Sequence, residues 1–73
     1  MKPKEFIPFM QRKPKSHKHL IVTNNIEAKD AFGEMSHVWL TTLWIKSDDT
    51  NYGIVTYDAA DRRIVNLTHW KYA

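Results

Sequence analysis

Apolar and β-branched residues recur along residues 37–72, HVWLTTLWIKSDDTNYGIVTYDAADRRIVNLTHWKY, in runs separated by turn-forming polar residues. Val38 to Ile45 is rich in β-branched and aromatic side chains and holds no glycine or proline, which favours a strand. Ser47 to Asn51 then concentrates aspartate, threonine and asparagine, whose side chains bond their own backbone in turns. Tyr52 to Tyr57 reads as a second strand, with Gly53 at a twist or a close approach. Asp58-Ala59-Ala60-Asp61 closes a tight turn, and Arg62 to Tyr72 returns as a third strand. Placing Tyr57 opposite Arg62 brings Val55 to Ile64, Ile54 to Val65 and Tyr52 to Leu67, which are sensible cross-strand pairs. The pattern therefore predicts an antiparallel meander.

Upstream, Leu20 to Thr23 forms a short β-run bounded by Asn24-Asn25. Beyond it, Ala28, Ala31, Phe32 and Met35 fall at i, i+3, i+4 and i+7, one face of a helical period. Asn24 or Asn25 can cap such a helix, and Glu27 stands at the capping-box position of Asn24. A short helix over about residues 26 to 35 is expected, ended or interrupted by Gly33. Residues 1–19 hold all three prolines, each of which removes a backbone donor and biases its predecessor towards extended backbone. The expected fold is thus α+β: a three- to four-stranded antiparallel sheet, one short helix and an extended N-terminal arm. The chain divides into the arm, 1–19, and a small domain, 20–73.

Counting faces exposes a deficit. The first meander strand is apolar on both sides, with Val38, Leu40 and Trp44 against Trp39, Leu43 and Ile45. One short helix covers only one face of a sheet. The other is covered by the apolar island Phe6-Ile7-Pro8-Phe9-Met10 of the arm, by a second subunit in a homodimer, or by a ligand. Phe6, Phe9, Trp39 and Trp44 are the partner-binding candidates on this reading.

A chain of 73 residues makes one small domain. The absence of cysteine excludes disulfides and thiolate metal sites and fits a reducing, cytoplasmic compartment. No apolar run is long enough to span a membrane. Charge changes the picture more than composition does. The net +3 splits into +5 over residues 1–19 and −2 over residues 20–73. A basic arm on a mildly acidic body is one footprint of a polyanion binder. Arg12, Lys13, Lys15, His17 and Lys18 in the arm, with Arg62, Arg63 and Lys71 on the last strand, are the nucleic-acid-binding candidates. Trp39, Trp44, Tyr52, Tyr57, Trp70 and Tyr72 offer stacking planes wherever they are exposed. No RNP, helix-turn-helix or zinc-finger pattern accompanies them, so DNA and RNA stay equally open.

Candidate chemistry is thin. His17 and His19 lie on one side of an extended segment, and His37 and His69 could approach, yet no metal-ligand spacing is present. Asp48, Asp49, Asp58 and Asp61 lie in turns, where turn propensity already accounts for aspartate. A small toxin-like ribonuclease would draw on Arg62, Arg63, His69 and Tyr72. The expectation is a non-enzymatic binding protein without cofactor or metal. Its ligand is nucleic acid first; the alternative is a larger protein partner that it inhibits or adapts, as accessory proteins of mobile elements do. Ribonuclease action ranks third.

Overall fold

A computed structural model describes residues 2–15, 18–42, 53–73 and the backbone of 44–46. Among the described residues the chain is mostly β, with a single 3-10 turn at Pro3–Glu5. Seven strands follow in order: β1 (Ile7–Pro8), β2 (Leu20–Thr23), β3 (Val38–Thr41), β4 (Trp44–Lys46), β5 (Ile54–Tyr57), β6 (Arg63–Leu67) and β7 (His69–Tyr72). One sheet has the order β1-β7-β2-β3 and the other the order β4-β5-β6, and every pairing is antiparallel.

Two of these boundaries are changes of sheet: β3 and β4 pair in different sheets, and so do β6 and β7 on either side of Thr68. Each pair therefore serves one sheet with its first strand and the other with its second, as happens at the corners of packed sheets. The pairings β2·β3, β4·β5, β5·β6 and β7·β2 then run in a closed circuit. The meander order expected from the sequence is present, and its last strand returns to β2.

The core lies between the sheets. Phe9, Leu20, Val22 and Trp70 from one side meet Ile64 and Leu67 from the other, with Ile7, Trp39 and Ile54 packed around them. Two polar groups bridge the sheets inside: Thr56 and Thr41 join hydroxyls at 2.9 Å, and Thr41 Oγ1 donates to the Tyr57 carbonyl at 2.9 Å. Both threonines are buried. Buried hydroxyls are tolerated when paired in this way.

The helix expected over residues 26 to 35 is absent. Residues 28–36 form a small hairpin instead, closed by the Lys29–Met35 bridge and by Ser36 N–H donating to the Ala28 carbonyl at 3.2 Å. At its tip Asp30 N–H donates to the Glu34 carbonyl (2.8 Å) and Gly33 N–H to the Asp30 carbonyl (3.1 Å). Asp30 Oδ1 accepts from the N–H groups of Phe32 and Glu34 at 2.8 and 3.0 Å. Gly33 takes φ +80°, the left-handed conformation that follows a type I turn in a three-residue hairpin loop. The apolar spacing that mimics a helix face spans the two arms and the tip of this loop.

The turn between β5 and β6 repeats the same arrangement. Asp58 N–H donates to the Arg62 carbonyl (3.1 Å), Asp61 N–H to the Asp58 carbonyl (3.0 Å), and Asp58 Oδ1 accepts from Ala60 and Arg62 N–H at 2.9 and 3.0 Å. Asp61, at φ 60°, occupies the place of Gly33. This extra residue moves the pairing one step from the expected register. Tyr57 lies opposite Arg63, not Arg62, and Thr56, not Val55, lies opposite Ile64. A further shift puts Ile54 opposite Leu67, where Asn66 also adopts φ 60°. The expected turn at 47–51 and the Tyr52 pairing lie outside the described residues.

The N-terminal segment is part of the body. Ile7 pairs with Trp70 and Pro8 with His69, so β1 is an edge strand, where a proline without an N–H donor is tolerated. Phe9 is in the core and Phe6 and Pro14 are buried.

Candidate functional site

β7 sorts the sequence-predicted site residues by face. Side chains alternate along a strand, so Trp70 and Tyr72 share the inner face while His69 and Lys71 share the outer one. Lys71 Nζ sits 3.2 Å from Glu5 Oε2. That hydrogen bond, with the lysine charge, holds the Glu5 carboxyl below its ordinary range. His69 is half-buried beside Thr68, its Nδ1 2.8 Å from the Thr68 hydroxyl, and burial pushes its imidazole down. His69 and Tyr72 thus lie on opposite faces, and the set Arg62, Arg63, His69 and Tyr72 is not gathered into one ribonuclease-like centre.

After β1 the chain turns at Pro8–Arg12, with Gln11 and Arg12 N–H both donating to the Pro8 carbonyl, and then runs past the aromatic residues of β7. Trp70 Nε1 donates to the Arg12 carbonyl at 2.8 Å, and the Arg12 guanidinium lies 5.9 Å from the centre of the indole. Lys15 N–H donates to the Tyr72 hydroxyl at 3.0 Å, and Tyr72 meets Trp70 edge-on at 4.8 Å. Lys15, Lys18, His19, Tyr72 and Ala73 surround a concavity of about 490 Å³.

A second, smaller depression adjoins it through His19 and is walled by Leu40, Thr41, Thr42, Tyr57, Asp58 and Ala59. A third shares Asp58 with the second and takes in Asn24, Trp39, Arg62, Arg63, Ile64 and Val65. Through these shared residues the three depressions are neighbours, a track whose first and last members are bordered by basic side chains. The two ends differ in strength. Arg62 is tied to Asp58, its Nε and a terminal nitrogen each 3.0 Å from Oδ2. Asp58 is held ionised below its ordinary range, first by the Arg62 backbone N–H and then by the Ala60 N–H and the Arg62 guanidinium. At the other end Lys15 and Lys18 line their concavity together with His19, Tyr72 and Ala73.

Of the predicted binding residues, Lys15 and Lys18 come together at Tyr72, Arg12 lies over Trp70, and Arg62 and Arg63 border the far end of the track. Lys13 is exposed in the same segment, and His17 lies outside the described residues. Lys71 points away on the outer face. Phe6 and Phe9 are buried within the protein itself, which removes them from its accessible surface. Trp39 is half-buried, with His37 tilted against it at 6.1 Å. Trp44 belongs to β4, and its side chain lies outside the described residues. Among the stacking planes, Trp70 is only 1 % exposed, whereas Tyr57 and Tyr72 are 39 % and 43 % exposed.

Sequence reading passed over the tip of the 28–36 hairpin. Phe32 stands there 90 % exposed, and the signal was Asp30-Ala31-Phe32-Gly33, aspartate first and glycine fourth in a type I turn. Among the described residues no three histidine or acidic side chains gather as a metal site, and no helix is long and apolar enough to cross a membrane. Comparison of the chain with protein-family models, curated proteins and solved structures finds no match.

Proposed function

We propose that the protein is a small nucleic-acid-binding module whose ligand lies along the track from Lys15 and Lys18, past His19 and Tyr57, to Arg63 and Trp39. The observation that carries this reading is the collection of Lys15 and Lys18 around an open concavity beside a half-exposed tyrosine. Lysines near phosphates release condensed counterions, and that release supplies most sequence-independent affinity. Labelled oligonucleotides titrated at 50 and 200 mM salt give the test. Affinity falls log-linearly with salt, Lys15→Glu and Lys18→Glu each weaken it strongly, and Arg62→Ala does so less because Asp58 already neutralises Arg62. Lys71→Ala leaves it unchanged. Salt-independent binding, or none at micromolar protein, sinks the reading.

A second reading, docking on a protein partner, has one observation in its favour: the exposed Phe32 on a hairpin tip that Asp30 pins from within. A large apolar side chain held out on ordered backbone can enter a partner's pocket without further ordering cost. Stoichiometric capture of a protein that Phe32→Ser abolishes would place this reading first.

A further inference from the structure

The shape and sign of the surface bear on which form of nucleic acid the track takes. The tip of the 28–36 hairpin carries the acidic side chains Asp30 and Glu34, whereas at the other hairpin Asp58 is paired with Arg62. The lysines sit in the hollow instead, at the Tyr72 end. A β-ribbon that reads a duplex enters the major groove between two rows of phosphates. The acidic tip of the 28–36 hairpin opposes that entry. A rigid duplex also rests on the convex parts of a surface, whereas a flexible single strand can follow a hollow.

The aromatic residues of the hollow are placed for unpaired bases. Tyr72 is fixed from two sides, by Lys15 N–H on its hydroxyl and by the Trp70 edge, and its exposed part opens into the basic concavity. Tyr57 offers a second partly exposed ring in the adjoining depression. Rings held before the ligand arrives bind bases without paying for their own ordering. A duplex keeps its base faces stacked on each other and has none to offer at such a site.

We infer that the track takes single-stranded nucleic acid, with one base on Tyr72 beside Lys15 and Lys18, one on Tyr57, and the intervening backbone passing His19. This inference rests on the reading of the track as a nucleic-acid site and adds strandedness and the stacking residues to it.

Fluorescence anisotropy of the full chain with a labelled 15-mer single strand and the matching 15-base-pair duplex, at one salt concentration, tests it. The single strand binds at least tenfold more tightly. Tyr57→Leu, which keeps apolar cover, lowers single-strand affinity by roughly 5- to 100-fold, as losing one base–aromatic stack does. Tyr72→Phe keeps the ring and retains most of the affinity, while Tyr72→Leu loses it. Circular dichroism melts confirm that each variant is folded at the assay temperature. Duplex affinity equal to or above that of the single strand, or full affinity in Tyr57→Leu and Tyr72→Leu, overturns this inference and leaves the nucleic-acid reading in place. Binding to neither ligand overturns both.

Discussion

Trp70 gathers contacts from the N-terminal segment and its own strand: the Phe9 ring at 6.4 Å, the Tyr72 ring at 4.8 Å, the Arg12 guanidinium, and the Arg12 carbonyl that accepts its indole N–H. Trp70→Phe removes that hydrogen bond and part of the core volume together. The expected loss is about 2–4 kcal/mol, read from the urea midpoint, since a lost bond costs about 1–2 and the smaller ring leaves a void. Titratable residues set the pH response. Burial lowers the folded-state value of His69, so the unfolded chain takes up its proton more readily. The stability His69 contributes is present above about pH 6.5 and is lost as the pH falls below that. Asp58 and Glu5 are depressed by hydrogen bonds and opposite charge, so their contributions hold above about pH 4 and fade as the pH drops further. Melting temperature followed from pH 8 to 3 should therefore fall in two stages, with the upper one missing in His69→Gln.

Two hairpin tips share one geometry, and the sequence showed one of them more clearly than the other. Asp58-Ala59-Ala60-Asp61 stands between two plain β-runs and reads directly as a turn. Asp30-Ala31-Phe32-Gly33 lies inside a spacing that copies a helix face, and that longer-range periodicity hid a four-residue turn signature. Gly33→Ala tests the turn. A side chain at φ +80° is strained although nothing crowds it, so a loss of about 1 kcal/mol is expected in thermal or urea unfolding. The changes of sheet from β3 to β4 and from β6 to β7 were also invisible, because no proline or glycine marks Thr42 or Thr68. The N-terminal segment is the third case. Its prolines indicate extended backbone, and extended backbone can equally be an arm or an edge strand. Removing residues 1–12 should leave Trp70 uncovered and its indole N–H without the Arg12 carbonyl, so such a chain should lose cooperative melting by circular dichroism. A separable arm would instead leave the melt intact.

At the scale of the whole molecule, 36 × 22 × 20 Å, Arg12 lies over Trp70 and Lys15 and Lys18 lie beside Tyr72, so part of the basic charge of the first 19 residues collects at β7. The sequence located that charge and named the tyrosines as stacking planes. It could not sort Lys71 from Lys15, because strand parity decides the matter and the parity of β7 follows from its pairing with β2. Nor could it show Phe6 and Phe9 buried, since the same apolar island suits an outside partner as well as the chain's own core. Closure of the strand circuit has a kinetic consequence too. Ile7 pairs with Trp70 and Val22 with both Trp70 and Trp39, so the core cannot assemble until residues 69–72 are present. Pairings between such distant residues must overcome a large loop-closure entropy before they are rewarded, which places folding among the slower, millisecond-to-second β topologies. During synthesis the basic N-terminal segment must wait, exposed, for the strand that will cover it.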